Sequence, residues 1–170
     1  GQQIERPRRI EQTQEALDNA TPGDEIVVAP GIYPEALVFE IDNLTLRSED
    51  PKDATIVAAT ILAGPLSPNV TIDLQAEHIR IAGLTIQGAK EGIQLHFKRF
   101  PVIEDCVITS GKIVQLHDNG VIRNCRMRAG HGGVTIGSEV SGGVRDVFAE
   151  RNTMSSPDLD RGLRIKTNLA

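Results

Sequence analysis

The sequence predicts an all-β chain that winds as a parallel β-helix, and three observations carry this prediction. A phrase with alternating apolar residues recurs about every twenty residues, which indicates a stacked repeat architecture. Only 3% of the 170 residues are aromatic and Trp is absent, so aliphatic side chains must build the core. Gly, Asn and Asp separate the apolar phrases, as they do at turns. One domain over residues 1–170 is the expectation.

Each repeat contains two short strand patterns. The first is exemplified by residues 81–86, 103–108, 122–127 and 149–154. The second carries an apolar anchor that recurs after 21, 20 and 29 residues, at Leu95, Leu116, Ile136 and Ile165. Because alternate strand residues face opposite sides, a second inward ladder is expected to contain Ile93, Val114, Val134 and Leu163. The residues between these ladders, namely Gln94, Gln115, Thr135 and Arg164, are expected to face solvent.

Looser patterns extend the repeat toward the start of the chain, with candidate strands at 25–28, 44–46, 55–57 and 70–72. Residues 25–167 then form about six or seven coils. Residues 1–24 are interpreted as an N-terminal cap with an amphipathic helix over about 10–20, which places Ile10 and Leu17 on one face. No closing element is evident after the last strand, so self-association as a homo-oligomer through an uncapped C-terminal coil is expected.

Cys106 and Cys125 lie 19 residues apart in similar phrases and are expected to stack in neighbouring coils. Stacking in register points both Cβ atoms the same way, which favours two buried thiols over a disulfide. A bridge stays open as the alternative.

Charge and composition exclude several functions. The net charge is −5 and the pI about 5.4, without a Lys/Arg block, which argues against nucleic-acid binding. No apolar stretch approaches the roughly 20 residues of a membrane span. His96 and His117 fall one coil apart but lack a third ligand, so neither a metal nor another cofactor is predicted. The start of the sequence indicates no cellular compartment.

The opening of the chain through Pro22-Gly23-Asp24 to Gly31-Ile32-Tyr33 resembles the cap and first coil of pectin-lyase-like β-helix proteins. The resemblance covers roughly the first 60 residues. It implies a right-handed parallel β-helix, single-stranded in each coil, and it specifies no activity.

Two later segments, Gly130-His131-Gly132 and Arg164-Ile165-Lys166, resemble the GHG and RIK signatures of glycoside hydrolase family 28, the polygalacturonases. The resemblance covers about the last 50 residues. It implies that His131 helps to position catalytic carboxylates, and that Arg164 and Lys166 bind the uronate carboxylate of the substrate. An arginine fork and a compact ammonium group suit that role. The resemblance also implies a secreted or periplasmic location for a chain derived from a natural pectin-degrading enzyme.

The aspartates of that family are missing at the matching positions, which read Ala89-Lys90-Glu91 and Gly111-Lys112. Inverting hydrolysis needs two carboxyl groups about 6.5 to 9.5 Å apart, and Gly111 and Lys112 supply neither. Glu91 is expected to pair with Lys112, and Asp118, the nearest substitute acid, to form a turn. The sequence therefore predicts a non-catalytic scaffold, shortened, spliced or designed, with at most weak affinity for acidic polysaccharide such as galacturonan.

Two enzymatic alternatives stay open. A polygalacturonate hydrolase would use Glu91 or Asp118 as its acid. A uronate lyase would use Lys112 or Arg128 as its base, usually with calcium.

Overall fold

A computed structural model describes residues 13–96, 98–109, 113–114, 118–130, 132–137 and 143–166. The chain alternates short strands with tight corners. In these ranges the strands are β1 (Glu25–Val28), β2 (Gly31–Tyr33), β3 (Leu37–Phe39), β4 (Thr45–Ser48), β5 (Thr60–Ala63), β6 (Val70–Leu74), β7 (Arg80–Ala82), β8 (Thr85–Gln87), β9 (Glu91–Leu95), β10 (Val102–Glu104), β11 (Val107–Ile108), β12 (Ile113–Val114), β13 (Val121–Arg123), β14 (Arg126–Met127), β15 (Val134–Ile136), β16 (Phe148–Glu150) and β17 (Leu163–Ile165).

The strands stack into three parallel sheets. Sheet A has the order β1-β4-β7-β10-β13-β16, sheet B has the order β2-β5-β8-β11-β14, and sheet C has the order β3-β6-β9-β12-β15-β17. The chain visits sheets A, B and C in turn, and each strand pairs with its counterpart one coil later. This topology confirms the predicted all-β parallel β-helix.

Residues with left-handed backbone conformation mark two corners of the coils. Between sheets C and A they are Asn43, His78, Phe100, Asn119 and Asp146, and between sheets A and B they are Gly83, Asp105, Asn124 and Arg151. Corner residues also bond to the next coil: the Asp105 N–H donates to the Arg123 carbonyl at 3.1 Å. Asn and Asp tolerate this conformation better than most side chains, which explains the predicted turns.

Aliphatic side chains from successive coils fill the interior. In sheet A, Leu46, Ile81, Ile103 and Ile122 lie in register and have no exposed surface. Full burial of one such side chain stabilises the fold by about 1.5–3 kcal/mol. The ladder repeats around the coil and supplies the core that the aromatic-poor composition predicted.

A short helix, α1 (Thr13–Asp18), closes one end of this core. Leu17 is buried in it, while the Gln14 side chain pairs with the backbone of edge strand β3, accepting from the Val38 N–H at 2.7 Å and donating to the Val38 carbonyl at 3.0 Å. The helix thus covers both apolar side chains and an unpaired strand edge. It ends two residues before the predicted boundary, and residues 10–12 lie outside the described ranges.

A second helix, α2 (Ala54–Ala59), replaces the strand predicted at 55–57. Asp53 is its N-cap and accepts hydrogen bonds from the backbone N–H groups of Thr55 and Ile56. This cap outweighs the β propensity of Thr-Ile-Val. The prediction at 55–57 was wrong, and α2 forms an excursion of the second coil that packs on sheet B.

The register of β12 also differs from the prediction by one residue. Ile113 pairs with Ile93 and Val134, and Val114 pairs with Gln94 and Thr135. The residue in register with Ile93 and Val134 is therefore Ile113 rather than Val114. Gln115 and Leu116, predicted as members of the neighbouring columns, lie outside the described residues.

Cys106 and Cys125 are both buried and unbridged, which confirms the predicted thiols. A hydrogen bond with the Cys106 side chain, together with burial, raises the pKa of the Cys125 thiol far above its usual value. Neither helix in the described part of the chain has the length and hydropathy of a membrane span.

Candidate functional site

The outward face of sheet C is the surface on which the sequence predicted a site. Strand register aligns one residue of each coil in a column along this face, in the order Val38, Asp73, Gln94, Val114, Thr135 and Arg164. Adjacent members lie about 4.8 Å apart along the helix axis. The column carries an acid near one end and a cation at the other.

Arg164 and Lys166 occupy the last described coil, β17 and the residue after it. They alternate with Leu163 and Ile165, so both cations lie on the outward side, about 7 Å apart along the strand. The Lys166 backbone N–H donates to the Ile136 carbonyl at 2.9 Å, which fixes its position against β15. Among the residues that the structure describes, neither side-chain cation has a hydrogen-bond or ion-pair partner. Their charges are available to an anion.

Gly132 allows Arg164 to lie close to the preceding coil. A Cβ atom on Gly132 would come 2.6 Å from Oγ1 of Thr135 and 3.4 Å from Cβ of Arg164. A contact of 2.6 Å is a clash, so a side chain at this position would force Thr135 or Arg164 to shift. Gly132 therefore helps to determine where the Arg164 stem packs.

Thr135 is only 2% exposed, although the sequence predicted that it faces solvent. That prediction was wrong: Gly132 lies against the Thr135 side chain, and Arg164 is the register partner of Thr135 in the next strand. Its Oγ1 is buried without a hydrogen-bond partner. An unpartnered buried hydroxyl costs about 1–3 kcal/mol. Because the oxygen is enclosed by protein atoms, a ligand on the surface of sheet C does not contact it in this conformation.

The acid of the column, Asp73, was missed by sequence reasoning. Its Oδ1 lies 2.8 Å from Nε2 of His96, and its Oδ2 accepts a hydrogen bond from the Gln75 amide at 3.0 Å. Asp73 and His96 are neighbours only because β6 and β9 pair in a fixed register. Nothing in the local sequence around Asp73 marks it, so only a correct coil alignment could have found it.

The two acids that the sequence named lie elsewhere. Glu91 opens β9 with the strand parity of Ile93 and Leu95 rather than that of Gln94, and its Oε2 is buried. Asp118 lies at the corner between sheets C and A, where its Oδ1 accepts from the Arg145 N–H at 2.9 Å. Neither acid belongs to the outward column.

Several other predicted residues fall outside the described ranges. They are His131, Gly111, Lys112 and His117. The expected Glu91–Lys112 pair and the His96–His117 stack therefore stay predictions. Within the ranges that the structure describes, no three His, Cys, Asp or Glu side chains converge as a metal site. Arg128, the other candidate lyase base, follows β14 in sheet B and does not join Arg164 on sheet C.

Comparison with solved structures identifies the architecture. Two crystal structures of the pectin methylesterase from Aspergillus niger, in penultimately deglycosylated and deglycosylated forms, superpose with TM-scores of 0.54 and 0.52. Both are 15% identical to this chain; the alignments cover 95% and 91% of it and 73% and 71% of the enzyme. The chain has the pectin-lyase-like right-handed β-helix fold. No protein-family model and no curated protein sequence matches it.

An identity of 15% extends to the fold alone. The resemblance of the 130–132 and 164–166 segments to family 28 therefore stays a prediction from sequence. The binding chemistry of the site depends on the side chains of sheet C.

Proposed function

We propose that this chain is a non-catalytic pectin-related β-helix that binds acidic polysaccharide along sheet C. The observation that carries the proposal is the pair of cations on one face of the last described coil, Arg164 and Lys166, which have no partner within the described ranges. A guanidinium can hold a carboxylate through two parallel hydrogen bonds, while an ammonium adds a compact charge. His131 belongs to the proposal through its place in the sequence, beside Gly132.

The chemistry of the surface favours a sugar acid over a neutral glycan. The chain is acidic overall, with net charge −5, so a general attraction for polyanions is not expected. Local cations must then supply the affinity. A uronate brings a carboxylate to these cations, whereas a neutral sugar brings no charge for them to pair with.

Distance argues against glycoside hydrolysis. Asp73 is separated from Arg164 by four strand spacings, or about 19 Å along the axis. A uronate held by Arg164 would therefore lie far from the Asp73 carboxylate. Hydrolysis by inversion requires two acids about 6.5 to 9.5 Å apart around one bond, and Glu91 and Asp118 lie off the column.

The two similar solved structures support the proposed class of ligand. The two similar crystal structures are of a pectin methylesterase, and pectin is a polymer of galacturonate. Because these enzymes are only 15% identical to this chain, they support the proposal without being its basis. Its basis is the pair of cations.

Titration of oligogalacturonate by calorimetry tests the proposal. Affinity should fall at least about tenfold in Arg164→Gln/Lys166→Gln, because a hydrogen bond to a charged group contributes about 1.5–3 kcal/mol. The matched control is Arg126→Gln/Arg128→Gln, which removes two equally spaced cations from sheet B. Equal affinity in the wild-type chain and in Arg164→Gln/Lys166→Gln would overturn the proposal.

A reducing-end assay on polygalacturonate decides the enzymatic alternative. The proposal predicts no release of reducing ends above background. Release that is abolished by Glu91→Gln or Asp118→Asn would make the chain a hydrolase instead. An unsaturated product absorbing in the ultraviolet would make it a lyase.

A further inference from the structure

The protein has a groove outside sheet C, separate from the candidate site for polysaccharide. It lies over the outward face of sheet B, between α2, the Pro51–Lys52 turn and strands β8, β11 and β14, and its volume is about 440 Å³. Small-molecule pockets have volumes of about 300–1,000 Å³. The groove is therefore large enough for a compact ligand.

The floor of the groove is apolar. Val57 of α2, Ile61 of β5 and Val107 of β11 line it. The Thr85 hydroxyl, also in the lining, already donates to the Val57 carbonyl at 2.8 Å and ties α2 to the sheet. These three side chains present hydrocarbon to the groove, and the Thr85 hydroxyl beside them is satisfied within the protein.

The rim carries two unbalanced positive charges. Arg126 and Arg128 flank the buried Met127, so they point outward from the same face, about 7 Å apart along the strand. Both are exposed, and neither side chain has a hydrogen-bond or ion-pair partner in the described part of the chain. Lys52, the third cation of the rim, is paired with the Asp105 carboxylate at 2.9 and 3.0 Å.

We propose that this groove binds a small carboxylate whose body is apolar. The carboxylate would lie between the guanidinium groups of Arg126 and Arg128, whose planar forks match its two oxygens. The apolar body would cover Ile61, Val57 and Val107. Charge complementarity selects the carboxylate, and the hydrocarbon floor selects against a polyhydroxylated sugar acid. The proposal is independent of polysaccharide binding on sheet C.

The test uses 4-phenylbutyrate as the probe and amide chemical shifts as the readout. Saturable shifts are expected at Val107, Arg126 and Arg128. Affinity should fall by about tenfold or more in Arg126→Gln/Arg128→Gln, since charged hydrogen bonds are the strong ones. Ala58→Trp, which fills the groove and keeps both charges, should abolish the shifts, while Arg164→Gln/Lys166→Gln should leave them unchanged.

Two further ligands separate this inference from simpler explanations. The neutral isostere 4-phenylbutanol should bind much more weakly than 4-phenylbutyrate; equal binding would overturn the role of the arginines. Inorganic phosphate or oligogalacturonate shifting the same amides as strongly would reduce the groove to a general anion patch and overturn the proposed ligand class. Unaltered thermal unfolding of each variant ensures that lost binding reflects the groove itself.

Discussion

Oε2 of Glu104 accepts a hydrogen bond from Nε of Arg123 at 2.7 Å, one coil further along sheet A. On its other side, Oε1 accepts from Nε of Arg80 at 2.7 Å. The carboxylate is only 8% exposed and thus bridges three successive coils on the outer face of the sheet. These ion pairs link successive coils on the outside of the sheet, as the aliphatic ladder does on the inside.

This bridge predicts a pH-dependent stability. Burial acts to raise the pKa of the Glu104 carboxyl, but the hydrogen bonds from Arg123 and Arg80 outweigh it and hold the pKa below its ordinary value of 4.5. The stabilisation is therefore complete above that value and is lost as the pH falls through the lowered pKa of the folded state. We expect Glu104→Gln to lower the free energy of unfolding by about 1–2 kcal/mol at pH 7, since solvent partly screens both arginines.

Urea unfolding as a function of pH measures this effect. The difference between wild type and Glu104→Gln should shrink as the pH falls below about 4. Glu49→Gln, at an exposed position, serves as the control with little change. A constant difference down to the acid limit would show that Glu104 acts through packing rather than charge.

Burial of the two thiols predicts slow chemical modification. The pKa of Cys125 is raised, so the nucleophilic thiolate is scarce at neutral pH, and both sulfurs lie in the core. We expect labelling by a disulfide reagent to be limited by unfolding in the native chain and rapid in denaturant. Rapid native labelling, or a mass two hydrogens lower under non-reducing conditions, would contradict this.

Gly132 should not tolerate a side chain. Gly132→Ala would force Thr135 or Arg164 to move, because the new Cβ would lie 2.6 Å from Oγ1 of Thr135. We expect a loss of about 1–3 kcal/mol of unfolding free energy together with weaker binding of oligogalacturonate. Gly31→Ala is the control, since its Cβ would meet only the Tyr33 ring at 3.4 Å. If Gly132→Ala bound oligogalacturonate with wild-type affinity, the placement of Arg164 would not be the reason for glycine at this position.

The last described coil predicts self-association. Leu163 and Ile165 continue the inward ladder, yet they are 58% and 63% exposed. Burying both against a second copy would be favourable at about 25 cal/mol per Å² of apolar surface. We expect concentration-dependent sedimentation that Leu163→Glu/Ile165→Glu abolishes and Leu66→Glu, at an exposed site far from this coil, leaves intact. A monomer at every concentration would exclude this contact.

Periodicity predicted the architecture because a β-helix repeats its inward residues once per coil, and Ile81, Ile103 and Ile122 recur accordingly. It could not fix the β12 register, since Ile113 and Val114 are both aliphatic and either can face inward. The excursion at α2 was missed because Asp53 was not recognised as a helix cap.

The same limits apply to the sites. Arg164 and Lys166 were found because the segment Arg164-Ile165-Lys166 resembles a family signature and because alternate residues of one strand share a face. The Asp73–His96 pair and the sheet B groove unite residues that are distant in the chain, such as Ile61 and Arg126. Only the stacking of coils brings these residues together, and the linear sequence does not show the distances between them.

In the described ranges each strand pairs only with strands of the adjacent coils, and this has a consequence for how order is lost. Disruption can begin at one terminus and advance winding by winding, without a single concerted collapse of the whole molecule. Around Leu163, in the last described coil, the aliphatic side chains are already exposed, so unwinding there uncovers the least additional apolar surface. Amide hydrogens near β17 should therefore exchange with solvent well before those of β7, and a half-unwound chain would keep a native remainder anchored by Gln14 and α1.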